Sequence, residues 1–169
     1  ELYRAHAIEG ADTFFVEART ASGLPLRIAL THACPNTETH AETVICEHAT
    51  LTYIVGSGAT IRWRDGRVEA LAPQPFDGLL ENHLDYYRYL RGETTRPATT
   101  LVDAQPFVML NDLTYISSGE ITPFPAATVT WLRNEKEGQD YPRVARLEMA
   151  INHFLADGSW PGAAWSRPA

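Results

Sequence analysis

Four residues carry ligand chemistry at matching intervals. His32 and Cys34 stand two apart, and so do Cys46 and His48. On an extended strand, residues two apart share a face. A hairpin that sets Cys34 opposite Cys46 therefore sets His32 opposite His48, and thiolate and imidazole are what a tetrahedral zinc site takes. The same residues also fit a plainer role, as two small apolar sheet side chains with histidines at the surface. A one-residue slip in register scatters them. Elsewhere, His83 reads as the surface of a helix, His153 as the neighbour of an apolar stripe, and Tyr86, Tyr87 and Tyr89 as core and rim. No phosphate-binding loop, zinc-protease helix or nucleophile-elbow motif occurs. Gly56-Ser57-Gly58 leads into a strand-like run, whereas a dinucleotide-binding turn opens a helix.

The elements that must position these residues are legible in outline. Ala11 to Thr20 and Leu24 to His32 are β-rich runs around Ser22-Gly23, which predicts a hairpin. Thr43 to Cys46 and Leu51 to Val55 read as further strands. Ala59 to Arg64 and Arg67 to Leu71 flank Asp65-Gly66, a preferred tight-turn pair. After Pro73-Gln74-Pro75 the apolar period changes to that of a helix, with Asp77 as its cap and Gly92 at its end. Thr100-Leu101-Val102-Asp103 reads as a capping box with Asp in place of Glu, opening a second helix that ends near Gly119 and carries Pro106 in its first turns. Ala127 to Leu132 is one more strand. Pro142 then starts a last helix, with Val144, Leu147, Ile151, Phe154 and Leu155 on one face and Gly158 at its end. Trp160 to Ala169 is a Pro- and Gly-rich tail. Strands first and helices later argue an α+β fold: one large, open, mostly antiparallel sheet with helices covering one face.

Composition bounds the function classes. The chain has 169 residues, enough for one ordinary domain spanning 1–169, and apolar content of 44% is that of a globular protein. Fourteen Lys and Arg against 21 Asp and Glu leave a net charge of −7. Phosphate backbones are bound through Lys and Arg, so nucleic acid is excluded as a partner. No apolar run approaches the roughly 18 residues of a membrane helix. The chain opens Glu1-Leu2-Tyr3-Arg4, with neither an initiator Met nor a leader, which points to a processed or excised piece. Two cysteines make no disulfide framework, and the expected compartment is the cytoplasm.

Two stretches together resemble a known family. Phe76 to Gly92 (FDGLLENHLDYYRYLRG) and Pro97 to Val108 (PATTLVDAQPFV), continuing through Leu110 to Gly119, are similar to the capped helices of the C-terminal domain in the glucose-fructose oxidoreductase/inositol dehydrogenase (Gfo/Idh/MocA) family. The Asp12-Thr13 strand, the Ser22-Gly23 turn and the strand ending at Thr31-His32 resemble that domain's open sheet. Glu47-His48-Ala49-Thr50 stands where the family commonly has a Gly-x-x-Gly turn. The resemblance implies a dehydrogenase fragment lacking its N-terminal Rossmann domain. That domain binds NAD or NADP and carries the catalytic Lys of a Glu-Lys-Pro motif, and a downstream Asp and His complete the site. This chain has no counterpart of any of these, so it supplies no catalytic residue and binds no cofactor itself. The resemblance further implies a homo-oligomer joined through the open sheet, for which Phe14, Val44, Ile61 and Trp63 are candidate surface residues. It implies a sugar or polyol substrate approached by His40 first and His32 second. A standalone ligand-binding or dimerisation module and a zinc-binding domain remain open at this level.

Overall fold

The computed structural model describes residues 1–33, 40–73, 75, 77–135 and 138–165. In chain order the elements are β1 (Leu2–Arg4), β2 (Thr13–Arg19), β3 (Pro25–Thr31), β4 (Ala41–Ile45), β5 (Ala49–Ile54), β6 (Gly58–Trp63), β7 (Val68–Leu71), α1 (Gly78–Leu90), α2 (Leu101–Ser118), β8 (Thr122–Pro123), β9 (Val129–Asn134), β10 (Gln139–Val144) and α3 (Leu147–Asp157). The fold is α+β and its strand pairs are antiparallel, apart from the short parallel pair β1–β8. The strands are distributed over three sheets, ordered β3-β2-β1-β8, β4-β5-β6-β7 and β10-β9. The chain forms two compact units, Glu1–Asn36 with Gln105–Ala169, and Thr37–Ala104.

The first unit holds the buried core. In β2 and β3 the residues alternate, so Phe15 faces inward with Tyr3 of β1 while Phe14 pairs with Leu30 on the opposite face. α3 lies against the inner face, where Phe154 meets Phe15 edge-on at 5.4 Å between ring centres. Tyr3 stacks on Phe124 at 5.1 Å, and Trp165 meets both rings edge-on. Trp165 lies in the segment read from sequence as a Pro- and Gly-rich tail. A short 3-10 turn, Gly162–Trp165, instead delivers its indole into the core.

The last helix also begins later than its apolar spacing indicates. Pro142 and Val144 belong to β10, paired with Trp131 and Val129, and Arg146 turns the chain with φ 66° before α3. Their apolar spacing served a strand buried on one face. A proline is tolerated there because β10 is an edge strand of its two-stranded sheet.

The second unit is a four-stranded meander followed by α1. The Asp65-Gly66 turn forms as its sequence demands, with Gly66 at φ 92° and the Asp65 carboxylate accepting the Arg67 N–H at 3.0 Å. Gly58 is where β5 turns into β6, at φ 95°, and a Cβ there would sit 2.2 Å from the Leu71 carbonyl oxygen. α1 is capped by Asp77, whose carboxylate accepts the Leu80 N–H at 3.0 Å. It closes through Gly92, with N–H bonds from Gly92 to Tyr89 and from Glu93 to Arg88. The capping box of α2 is reciprocal. Asp103 accepts from the backbone and hydroxyl of Thr100 at 2.8 and 2.7 Å, and the Thr100 hydroxyl accepts the Asp103 N–H at 3.4 Å.

Register gives the meander two faces, each mixing apolar and polar residues: Glu42 and Glu69 share the face of Val44, Leu51 and Ile61, and Ile45, Ile54 and Val68 share the opposite one. Val44, Leu51 and Ile61 are cross-strand neighbours on one face, joined there by Tyr53, Ala59, Leu71, Ala49 and Trp63. The other face carries Thr43, Thr52 and Thr60 in a row. Among the described residues of this unit, Gly58 alone is buried. Neither α1 nor α2 has a buried residue. Val44 is 52% exposed and Leu71 48%.

Candidate functional site

The best-built polar site in the described residues lies in the loop joining β1 to β2, and its centre is Asp12. That carboxylate is buried, with only 2% of its surface exposed. Its Oδ2 accepts the backbone N–H groups of Ala5 at 2.8 Å and His6 at 2.7 Å, and lies 2.7 Å from His6 Nδ1. Its Oδ1 accepts the Thr13 hydroxyl at 3.0 Å. Thr13 spends its one hydroxyl proton there. The Thr31 hydroxyl, 2.8 Å away, must therefore donate to Thr13, while accepting the Ala33 N–H at 2.9 Å. A buried carboxylate is costly unless it is compensated, and this one is met by donors on both of its oxygens.

The consequence for His6 is a defined tautomer. An ionised carboxylate only accepts, so Nδ1 carries a proton and the Nε2 of a neutral ring is left as an acceptor. The His6 side chain is 28% exposed, and its ring stands edge-to-face with Trp131 at 6.1 Å between centres. Such a dyad can take a proton from, or accept a hydrogen bond from, a hydroxyl. An open recess of about 310 Å³ is lined by Arg4, Tyr115, Gly119, Glu120 and Ile121. Two of its polar groups hold the same loop. Arg4 donates to the Ile8 carbonyl at 2.7 Å, and the Tyr115 hydroxyl accepts the Ala11 N–H at 3.2 Å.

Sequence reading missed His6 and Asp12. Their six-residue separation matches neither helix nor strand, and only the loop closure joins them. The signal available was an Asp at the very start of a β-rich run, a position suited to bonding nearby backbone N–H groups.

The candidates read from sequence stand at strand ends. His32 follows β3, is exposed, and donates its backbone N–H to the Asp12 carbonyl at 2.9 Å. His40 precedes β4, is exposed, and its carbonyl accepts the Val55 N–H at 3.0 Å. They belong to different compact units. Cys34 lies outside the described residues. The expected pairing of Cys34 with Cys46 therefore falls outside them too, while Cys46 donates its backbone N–H to the Ala49 carbonyl at 2.8 Å beside β4–β5, with His48 in the turn. The short Glu47-His48 connection brings β5 back beside β4, and so Cys46 meets its local partner. Cys46 is a free, exposed thiol. His83 is on the exposed surface of α1, with Nδ1 2.7 Å from the Leu79 carbonyl. Gly56-Ser57-Gly58 turns between two antiparallel strands, so no helix N-terminus follows to receive a dinucleotide pyrophosphate. Phe14 lies on β2, in a different sheet from Val44, Ile61 and Trp63.

No helix among the described residues is long and apolar enough to cross a membrane. Comparison with protein-family models, with curated proteins and with solved structures gives no match for this chain.

Proposed function

We propose that this chain is the C-terminal substrate-binding and oligomerisation domain of a cytoplasmic oxidoreductase of the Gfo/Idh/MocA type. The whole enzyme moves hydride between NAD or NADP and a sugar, polyol or related compound. The nicotinamide and the catalytic Lys reside in a Rossmann domain outside this chain. The chain walls the substrate side, with His40 and His32 as its substrate-facing groups, and copies of it associate through the open sheet.

One observation carries this reading. The meander aligns Val44, Leu51, Ile61 and Trp63 on a single face, yet the unit that holds it buries only Gly58 among its described residues. Apolar burial is the main favourable term in folding, and conformational entropy opposes it throughout. A unit built this way is completed by a surface laid over it, as an oligomerisation sheet is. The two segments that resemble the family fold here as capped helices, which supports the same reading.

The test is to assay the full-length parent on a panel of sugars and polyols, with NAD and NADP in parallel. Reduction of one nicotinamide by one polyol class is the expected result. This chain alone should bind NADH no better than background, and saturable micromolar binding in a fluorescence titration would count against the assignment.

A further inference from the structure

We propose that Trp131, His6 and the Arg133–Asp140 pair form a binding subsite for the ring of a sugar or cyclic polyol. The ligand class rests on the proposed function, but the geometry stands apart from the residues used there. Trp131 is 54% exposed on β9. Directly across the hairpin from it is Pro142, whose side chain is fully buried. The indole is therefore carried on a rigid, well-packed strand while keeping about half its surface in water. Two residues further along the same face is Arg133, whose Nη1 donates to the Asp140 carboxylate at 3.1 Å from the neighbouring position on β10. His6 is the indole's other neighbour, its ring centre 6.1 Å away, with Nδ1 held by Asp12 and Nε2 left to accept.

The pieces match one kind of ligand. A six-membered sugar or cyclitol ring has a flat C–H face, which lies against the electron-rich face of an aromatic ring. Its edge is lined with hydroxyl groups that both donate and accept. His6 Nε2 accepts a hydrogen bond from one hydroxyl, Asp140 accepts one from another, and Arg133 has guanidinium N–H groups left to donate. A two-residue step along a strand is about 6.6 Å, comparable to the width of such a ring. The charges of Arg133 and Asp140 compensate one another, which favours a neutral ligand over an anionic one. An orienting carboxylate behind a half-buried histidine also has a plain consequence: the imidazole is set in place before the ligand arrives, and less ordering is needed on binding.

The experiment is a titration of this chain with myo-inositol and with glucose, followed by the indole N–H resonance of Trp131. The resonance is identified by its loss in Trp131→Phe, and glycerol at matched hydroxyl concentration is the control. A saturable shift with at least one of the two rings, and not with glycerol, is expected. Trp131→Ala should weaken binding by about tenfold, the scale of one aromatic contact. His6→Ala should weaken it by a smaller factor, with the Trp165 resonance unmoved as proof of an intact core. A linear response, an equal response to glycerol, or affinity unchanged in Trp131→Ala overturns the subsite. So does a Trp131 resonance that moves with protein concentration but not with sugar, since that marks a surface covered by a second copy. The titration contains no nicotinamide. Its failure therefore leaves the oxidoreductase reading to the parent's assay, and a saturable shift alongside an inactive parent separates the two the other way.

Discussion

His6 Nδ1 lies 2.7 Å from Asp12 Oδ2, and the same oxygen accepts the backbone N–H groups of Ala5 and His6. One side chain thus closes the β1–β2 loop and orients its histidine. Asp12→Ala strands these donors next to the core. The expected loss of stability is about 3 kcal/mol, from bonds to a charged acceptor and donors left unsatisfied. Asp12→Asn, which keeps one acceptor oxygen, should lose less. Urea denaturation of the two variants beside the parent chain checks the order.

The turns at Gly56 and Gly58 differ in what surrounds them. Gly56 at φ 78° has open space where a Cβ would go, whereas Gly58 at φ 95° faces the Leu71 carbonyl at 2.2 Å. Gly56→Ala should cost about 1 kcal/mol from backbone conformation alone. Gly58→Ala adds a backbone clash and should cost roughly 2–3 kcal/mol. Equal shifts in the denaturation midpoint would contradict this account of the β5–β6 corner.

Acid should loosen the start of α2. The Thr100 hydroxyl, then the Thr100 backbone N–H, and further the Arg96 charge hold the Asp103 carboxyl below its ordinary value. A carboxyl lowered by folding stabilises the cap fully above its unfolded pKa. That contribution is lost as pH falls through the folded value. The Thr100 amide resonance should accordingly follow the Asp103 titration below about pH 4. Thr100→Ala removes the largest of these causes and should reduce the lowering, with the backbone N–H at position 100 and Arg96 still acting in the same direction.

Association through the meander has a simple probe. Val44 is 52% exposed in the single chain, so Val44→Lys should leave the fold intact. A lysine centred in an apolar interface is strongly disfavoured. The parent chain should sediment as a dimer and the variant as a monomer. Identical sedimentation of both would remove this face from the interface.

Trp165 tests whether the C-terminal segment belongs to the core. Its ring meets Tyr3 at 5.2 Å and Phe124 at 4.9 Å, and it is 2% exposed. Trp165→Ala should cost about 3–5 kcal/mol, as for other buried aromatic residues. Trp160→Ala, at 44% exposure, should cost much less. Thermal melts of the two variants distinguish a core residue from a tail.

The sequence by itself determined the local structure wherever a short-range rule applies. The Ser22-Gly23 and Asp65-Gly66 hairpins, the Asp77 cap, the Thr100–Asp103 box and the glycine ends of α1 and α3 each depend on residues a few positions apart. The α+β character followed from those pieces. Only the tertiary structure decided what depends on long separations. Whether the apolar spacing at Pro142 and Val144 served a helix or a strand was settled by cross-strand pairing with β9, which the spacing along β10 itself does not reveal. Trp165 looks like a tail residue until Tyr3 and Phe124, distant in sequence, enclose it. Above all, His6 meets Asp12 and Trp131 only because a loop closes and a distant hairpin arrives beside it. Hydrogen bonds of that kind have no period along the chain, and so no pattern of residue types announces them.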